Sequence, residues 1–262
     1  MIKNKVKINV VCTTIGSKYL SKAIESVLQQ KNNDFILTIV DDSGKFLSKR
    51  IIKKYKDDRI NLIFNKINQG QAKSLNIGIN SIESDYVSII DEDDYWISKN
   101  KLNEQVKFLL NEKSCNLVSD RKIIIDTLTN ETLNNGNNQF FGRLDSLKYL
   151  TKNNPLNHSS VLFKRKVFFR LGCYDETLNR AQDLDLWIRF FLDDSKSIYI
   201  RKEITLCYRV FSSKIKILKL YKDHKSLTKI KKKYKIKNMV SNLFIVFIIK
   251  RALNYILNKL SV

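Results

Sequence analysis

The chain has 262 residues with 43% hydrophobic and 28% charged side chains, a globular balance that suits one large α/β domain or two small ones. Its formal charge of +22 points to a polyanionic partner: nucleic acid, an anionic membrane surface or a phosphorylated ligand. Cys12, Cys115, Cys173 and Cys207 are scattered without metal-ligand spacing and read as reduced cytosolic thiols, and Met1 leads into a Lys-spaced strand without an apolar signal region, so secretion is not expected.

Val6 to Thr13 is β-branched and apolar, a first strand. Ser17 is placed to cap a helix whose residues Leu20, Ala23, Ile24, Val27 and Leu28 share one face. Phe35 to Val40 reads as a second strand ending in Asp41-Asp42-Ser43-Gly44, Phe46 to Tyr55 as a helix, and Ile60 to Phe64 as a third strand. Asn68-Gln69-Gly70 introduces a helix over Gln71 to Ile79. Tyr86 to Ile90 is a short, mostly apolar run suited to a strand buried on both faces, and four acids follow at once, Asp91, Glu92, Asp93 and Asp94.

Strands alternating with helices imply right-handed crossovers and a mainly parallel sheet, an α/β fold. Thr13-Thr14, Asp41-Asp42 and Asp91 to Asp94 then emerge on one carboxyl edge, where open α/β sheets bind ligands. Packed carboxylates repel one another unless a cation lies between them, and oxygen ligands suit Mg2+ or Mn2+. Taken alone, the cluster is explained as well by a solvated turn capping the helix that starts near Lys99. Its company favours a metal site holding an anionic substrate.

Lys99 to Asn111 reads as a helix, Cys115 to Ser119 as a strand, and Arg121 to Asn138 as a hairpin with Thr129-Asn130 as candidate turn. Ser159 to Phe163 is a strand candidate after Asn157-His158, with His158 read as a structural polar histidine. A helix from about Asp183 to Leu192 would bury Leu184, Trp187, Ile188 and Phe191, and Ser197 to Ile200 and Thr205 to Val210 would be final strands. Beyond Ser213 lie eleven lysines from Lys214 to Lys237, and the apolar run Leu243 to Ile249 is too short to span a bilayer. Further on, Lys250, Arg251, Asn254 and Asn258 share one helical face and Leu253, Ile256, Leu257 and Leu260 another. The chain thus divides into a domain of residues 1–212 and a basic, amphipathic helical tail of residues 213–262. Such a tail suits a membrane-interface anchor, or a helix packed on the domain with a solvated lysine face.

The series Val10-Val11-Cys12-Thr13-Thr14, Val40-Asp41-Asp42-Ser43, Asn68-Gln69-Gly70 through Asn76-Ile77-Gly78-Ile79, Asp91-Glu92-Asp93-Asp94 and Gln182-Asp183-Leu184-Asp185-Leu186-Trp187 resembles a known family. It is that of the inverting, GT-A-fold nucleotide-sugar glycosyltransferases, family 2 type, of bacterial surface-polysaccharide assembly. The resemblance covers about Lys7 to Tyr208 in the family's order.

The resemblance implies a metal-dependent transfer of a sugar from a nucleotide-sugar donor, UDP-linked, to a hydroxyl of a glycan or lipid-linked saccharide acceptor. It implies that Thr13 holds the base, that Asp41 accepts a hydrogen bond from uracil, and that Asn68 and Gly70 lie beside the nucleotide. Asp91 and Asp93 match the two acids of the DxD motif: Asp93 on Mn2+ or Mg2+, Asp91 on the ribose or the metal, with Asp94 supporting the loop. Asp183 matches the base that takes the acceptor's proton, a role helped where the surroundings raise a carboxylate's pKa. Trp187 is expected to pack, and Asp185 to pair with Arg189 across one turn.

Departures are Cys12 where the family often has proline, Ile15 for asparagine, Leu75 for arginine and Gln182 for the glutamate before the base. The acceptor is expected to meet Asn134 to Pro155. The tail would hold the protein peripherally on the cytoplasmic face of an anionic inner membrane, with no nucleic acid bound. A sugar-phosphate nucleotidylyltransferase would want a glycine-rich basic loop near the N-terminus, where Thr13 to Lys18 offers only Gly16. A nucleic-acid-binding protein would want interleaved aromatics in the tail, which has Tyr221 and Tyr234.

Overall fold

The computed structural model describes residues 7–31, 34–127, 129–137, 139–210 and 217–236. Four strands, β1 (Ile8–Thr14), β2 (Phe35–Asp41), β3 (Ile60–Phe64) and β4 (Tyr86–Ile89), lie side by side and parallel in the order β3-β2-β1-β4. Helices α1 (Leu20–Leu28), α2 (Lys49–Ile52) and α3 (Gln71–Asn80) make the crossovers between them. Every residue of β1 is buried, as its apolar run requires of a strand covered on both faces. Alternation decides which face each residue serves: Ile8, Val10 and Cys12 join a core shared with α1, while Val11 joins the core under α3. Gly78 lets α3 lie that close, since a Cβ there would come within 2.7 Å of Val11 and 2.9 Å of Val40.

Two local expectations change. The hydroxyl of Ser17 accepts from Tyr19 N at 3.2 Å, and α1 begins at Leu20 without a side-chain cap. The helix expected over Phe46 to Tyr55 contracts to α2, because Ser43 to Ser48 is held in a loop by Asp41.

The second half contributes β5 (Tyr95–Trp96), α4 (Lys101–Asn111), β6 (Leu117–Asp126), β7 (Thr132–Asn134), β8 (Gly142–Arg143) and α5 (Leu147–Asn153). After these come β9 (Leu162–Lys164), α6 (Arg165–Arg170), α7 (Gln182–Asp193), β10 (Ile198–Val210) and α8 (Ile217–Lys233). The sheet continues β4-β9-β6-β10-β5, with β7 beside β6 and β8 beside β10. β6 and β10 run with the first four strands, while β9 and β5 run against them. The α/β class and mostly parallel sheet are as the sequence implied. The two expected final strands form one strand, which absorbs its polar Lys202-Glu203 step as register shifts opposite β6.

All four cysteines are free thiols, and among the described residues no helix is long and apolar enough to cross a membrane. The described part of the tail packs on the domain: Ile230 is fully buried in the core with Trp187, and Lys233 Nζ reaches Asp185 at 2.8 Å and Asp175 at 3.1 Å. The Leu243 to Ile249 run and the amphipathic pattern after it lie outside the described residues.

Candidate active site

Parallel strands deliver their carboxyl ends to one edge, so Thr13-Thr14, Asp41-Asp42 and Asp91 to Asp94 meet there as the topology demands. The antiparallel strand β9 enters from that same edge. The turn before it, His158–Ser160, therefore arrives beside the end of β4.

The turn after β2 is closed from inside. Asp41, fully buried, accepts from Ser43 N (2.9 Å), Ser48 N (2.8 Å) and Ser48 Oγ (2.5 Å). Burial alone would raise its pKa, and these hydrogen bonds outweigh burial to hold it below the ordinary carboxylate value. Asp42 accepts from Asn65 Nδ2 (2.8 Å), Gln69 N (2.7 Å) and Gly70 N (2.9 Å), while Asn68 Nδ2 donates to its carbonyl at 2.8 Å. Asp42 thereby shapes the Asn68 to Gly70 loop. Gly70 sits at φ 85°, a backbone favouring glycine, with open space where a Cβ would stand. Thr13, one residue before the end of β1, lies opposite Val40 on β2 and is nearly buried.

The turn after β4 is organised differently. Glu92 turns back to the loop after β1, where Thr14 Oγ1 and Ser17 N (2.9 Å) donate to it. Asp91 accepts from Gln71 Nε2 (3.0 Å) and Ser159 Oγ (3.2 Å) and faces His158 Nδ1 at 3.2 Å. Burial would raise Asp91, but His158 and these bonds lower it, and the same charge raises His158 against its own burial. Asp94 accepts from Ser159 Oγ (2.5 Å) and Arg209 N (3.1 Å), yet burial first and Asp91 second push it up to about 8. Asp93 receives no side-chain hydrogen bond from another described residue, and burial together with Asp91 pushes it up to about 6.

Asp183 stands in the first turn of α7, with Asn154 Nδ2 at 3.3 Å from its carboxylate. A hydrogen-bonded chain joins that turn to the acids: Gln182 Nε2 donates to Gln71 Oε1 at 2.9 Å, and Gln71 donates onward to Asp91. Tyr208, on β10, lies among all of them. Burial and then the charges of Asp94, Asp91, Asp93 and Asp183 raise its hydroxyl above the usual range. Carboxylates about ninety positions apart in sequence thus act together on one phenol.

The model of glycosyl transferase family 2 matches residues 10–172. The chain belongs to that family. An uncharacterized glycosyltransferase of Methanocaldococcus jannaschii is 34% identical over 228 residues, covering 83% of this chain and 77% of its own. Among solved structures, the S. aureus TarS fragment 1–349 in complex with UDP-GlcNAc superposes with a TM-score of 0.66 at 16% identity, over 86% of this chain. The mannosyltransferase PcManGT of Pyrobaculum calidifontis, in complex with GDP-Man and Mn2+, gives 0.65 at 14% identity over 90% of this chain. The family 2 chain described here spans 66% of each of those two solved chains, and the likeness to them is one of fold.

Sequence reasoning missed three members of this family 2 site. His158 links Asp91 to Tyr174, whose hydroxyl lies 3.0 Å from Nε2. Arg209, stacked between the rings of Tyr19 (4.8 Å) and Tyr95 (4.7 Å), donates to Asp93 O at 2.7 Å and braces the acidic turn from behind. Lys122 lies 4.1 Å over the Tyr208 ring. All three sit on or beside β6, β9 and β10, whose order in the sheet no local pattern announces. The expected Asp185 and Arg189 pair is present, at 2.7 Å, and Trp187 is fully buried.

The donor set suits a hard divalent cation. Among the described residues no three His, Cys, Asp or Glu side chains converge as a complete cage. Mg2+-type sites commonly use one or two carboxylates with substrate phosphates and water, which is what Asp93, free of donors, and Asp91, held beside it, offer.

Proposed function

We propose that this chain is a metal-dependent inverting glycosyltransferase moving a sugar from a nucleotide sugar, UDP-linked, to a hydroxyl of a glycan or lipid-linked acceptor in surface-polysaccharide assembly. The observation that carries the reading is the meeting, at the carboxyl edge of the sheet, of the Asp91 to Asp94 turn with the first turn of α7, which bears Asp183, joined through Gln71 and Gln182. The complexes of TarS with UDP-GlcNAc and of PcManGT with GDP-Man and Mn2+ support a nucleotide-sugar donor and a divalent cation on this fold.

In this reading Thr13, Asn68 and Gly70 line the nucleotide side, while Asp41, expected to accept from uracil, is buried with its carboxylate taken by Ser43 and Ser48 and acts there through the Ser43 to Ser48 loop it ties down. Asp93, with Asp91, holds Mn2+ or Mg2+. The bound cation supplies positive charge against the diphosphate that leaves. Gln71, His158 and Ser159 fix the direction of Asp91, so it need not reorganise when the donor arrives. Asp183 accepts the proton of the attacking hydroxyl on the opposite side of the sugar. The acceptor is assigned to the Asn134 to Pro155 region, and the lysine-rich tail to contact with the cytoplasmic face of an anionic membrane.

The test is to incubate the purified protein with a panel of nucleotide sugars and Mn2+ or Mg2+ and follow donor hydrolysis and transfer. UDP binding by calorimetry, with and without Mn2+, checks the cation separately. Absence of any metal-dependent nucleotide binding would falsify the reading, and full turnover by Asp183→Ala would remove that residue from it.

A further inference from the structure

The β2 and β3 flank of the same sheet edge carries apolar side chains that nothing in the site uses. The loop after β1 exposes Ile15, the loop after β2 exposes Phe46 and Leu47, and the loop after β3 exposes Ile67, at 59%, 45%, 52% and 65% of their surfaces. These loops touch because their strands are neighbours: a Cβ on Gly16 would run into Leu47, and one on Gly44 would lie 3.2 Å from the Cα of Ile67. Phe46 is held at φ 55°, a backbone that a bulky side chain rarely adopts, and although its ring meets Phe64 edge-on at 5.0 Å, nearly half of its surface stays in solvent. Single exposed apolar residues are ordinary on soluble proteins, but four on adjoining loops with a polar rim mark a contact surface.

The rim has one sign. Lys18, Lys45, Lys49, Arg50 and Lys66 are all exposed around these side chains. Residues 15–24, 43–56 and 64–73 contain ten Lys or Arg and no Asp or Glu. Glu92 approaches from the β4 side, with its carboxylate engaged by the loop after β1.

We propose that the loops after β1, β2 and β3 form an interfacial contact with an anionic lipid surface, seating Phe46, Leu47 and Ile67 at the headgroup boundary while the surrounding lysines meet lipid phosphates. A bilayer presents what this patch complements: negative charge spread over an area, with an apolar layer just beneath. A second copy of this chain, at +22, would be repelled by it. The contact sets the acid cluster beside the headgroups, within reach of a lipid-linked acceptor. It deepens the membrane-surface reading above and rests on it for its purpose, but it is a contact distinct from the tail.

Sedimentation of the full chain with mixed phosphatidylglycerol and phosphatidylcholine vesicles, without donor, tests it. Leu47→Gln/Ile67→Gln and Lys45→Gln/Lys66→Gln should each lower the partition by roughly tenfold or more, while the melting midpoint of each variant stays at the wild-type value. Ile67→Trp should gain fluorescence quenching from brominated lipid. Wild-type partition by both rim variants, with loss only in Lys225→Gln/Lys229→Gln/Lys232→Gln on α8, overturns the proposal and leaves the tail as the contact. Rim-dependent capture of a protein, with vesicle binding untouched, overturns it too. Because binding is read without substrate, loss of vesicle binding and loss of transfer are separate results.

Discussion

Two acidic turns close the two strands that flank β1, Asp41-Asp42 after β2 and Asp91 to Asp94 after β4, and they are built to opposite ends. In the first, each carboxylate is met by three donors, and Asp41 stays below the ordinary carboxylate value although it is buried. In the second, Asp93 is left without such donors and Asp94 has two, and both are pushed upward, to about 6 and about 8. The difference lies in the supply of N–H and O–H groups around each acid and in the charge of Asp91 beside Asp93 and Asp94. A carboxylate surrounded by donors is a staple for its loop. One that lacks them is an uncompensated charge that a cation or a reacting group relieves.

The largest effects follow from the second turn. Asp93→Ala and Asp183→Ala should each lower donor turnover about 10³-fold or more, roughly 4 kcal/mol in transition-state stabilisation, as expected for loss of a metal ligand or of a general base. The melting midpoint of Asp93→Ala should hold or rise, because a half-buried charge that no side chain among the described residues hydrogen-bonds has been removed. A large stability loss in Asp93→Ala, without loss of turnover, would erase the contrast between the turns.

The same contrast can be drawn for cations, with an effect of a few kcal/mol. Buried Arg201 donates to Asp120 at 2.6 and 3.0 Å, whereas Lys101, also fully buried, donates only to Ser88 Oγ (3.2 Å) and Gln105 Oε1 (2.8 Å) and lies 4.1 Å over the Trp96 ring. Burial chiefly, opposed by Asp120, brings Lys101 down to about 7. Below that pH both folded and unfolded chains hold the proton, and the full cost of the buried ammonium is present. Between about 7 and 10.5 the unfolded chain binds a proton that the folded chain does not, so stability rises with pH across this window. Lys101→Met should therefore be stabilised over wild type most strongly below about pH 7, with the gap narrowing toward pH 10. Denaturant melts at several pH values would show it, and a gap that does not change with pH would contradict it.

Asp42→Ala reverses the effect of Asp93→Ala. It strands Gln69 N and Gly70 N and leaves Asn65 Nδ2 with Ser74 Oγ alone, and should cost about 2 kcal/mol, lowering the melting midpoint by roughly 4–8 °C. Thermal melts of Asp42→Ala and Asp93→Ala side by side read the comparison directly.

Why the sequence shows some of this and hides the rest follows from range. β1 to β4 were legible because each is a short, mostly apolar run, and parallel topology then places their polar ends on one edge whatever their partners. Both acidic turns were visible for that reason, but not their difference. Ser48 lies seven residues from Asp41, whereas Ser159 and Arg209 reach Asp94 from 65 and 115 residues away. His158 looked structural because its neighbours depend on β9 entering the sheet between β4 and β6 in the reverse direction, and a three-residue strand carries no such signal. The break in β10 misled for a simpler reason: Lys202-Glu203 reads as a loop, and the bulge that accommodates it exists only against β6.

The smallest predicted effect concerns the thread between the acids and α7. Gln71 has one amide: its Nε2 donates to Asp91 and its Oε1 accepts from Gln182 Nε2, so the side chain is directional. Gln182→Glu puts an acceptor where Gln71 now needs a donor. The Gln71 amide can then serve one carboxylate with its NH2, and its oxygen must face the other. That frustration should cost about 1 kcal/mol, roughly fivefold in turnover with donor KM little changed, because Asp91 loses its alignment rather than its charge. In a Gln71→Ala background the conflict is absent, so Gln182→Glu should there have almost no effect. A double-mutant cycle measures the coupling, and equal costs in the two backgrounds would cut the link between Asp183's helix and the Asp91 turn.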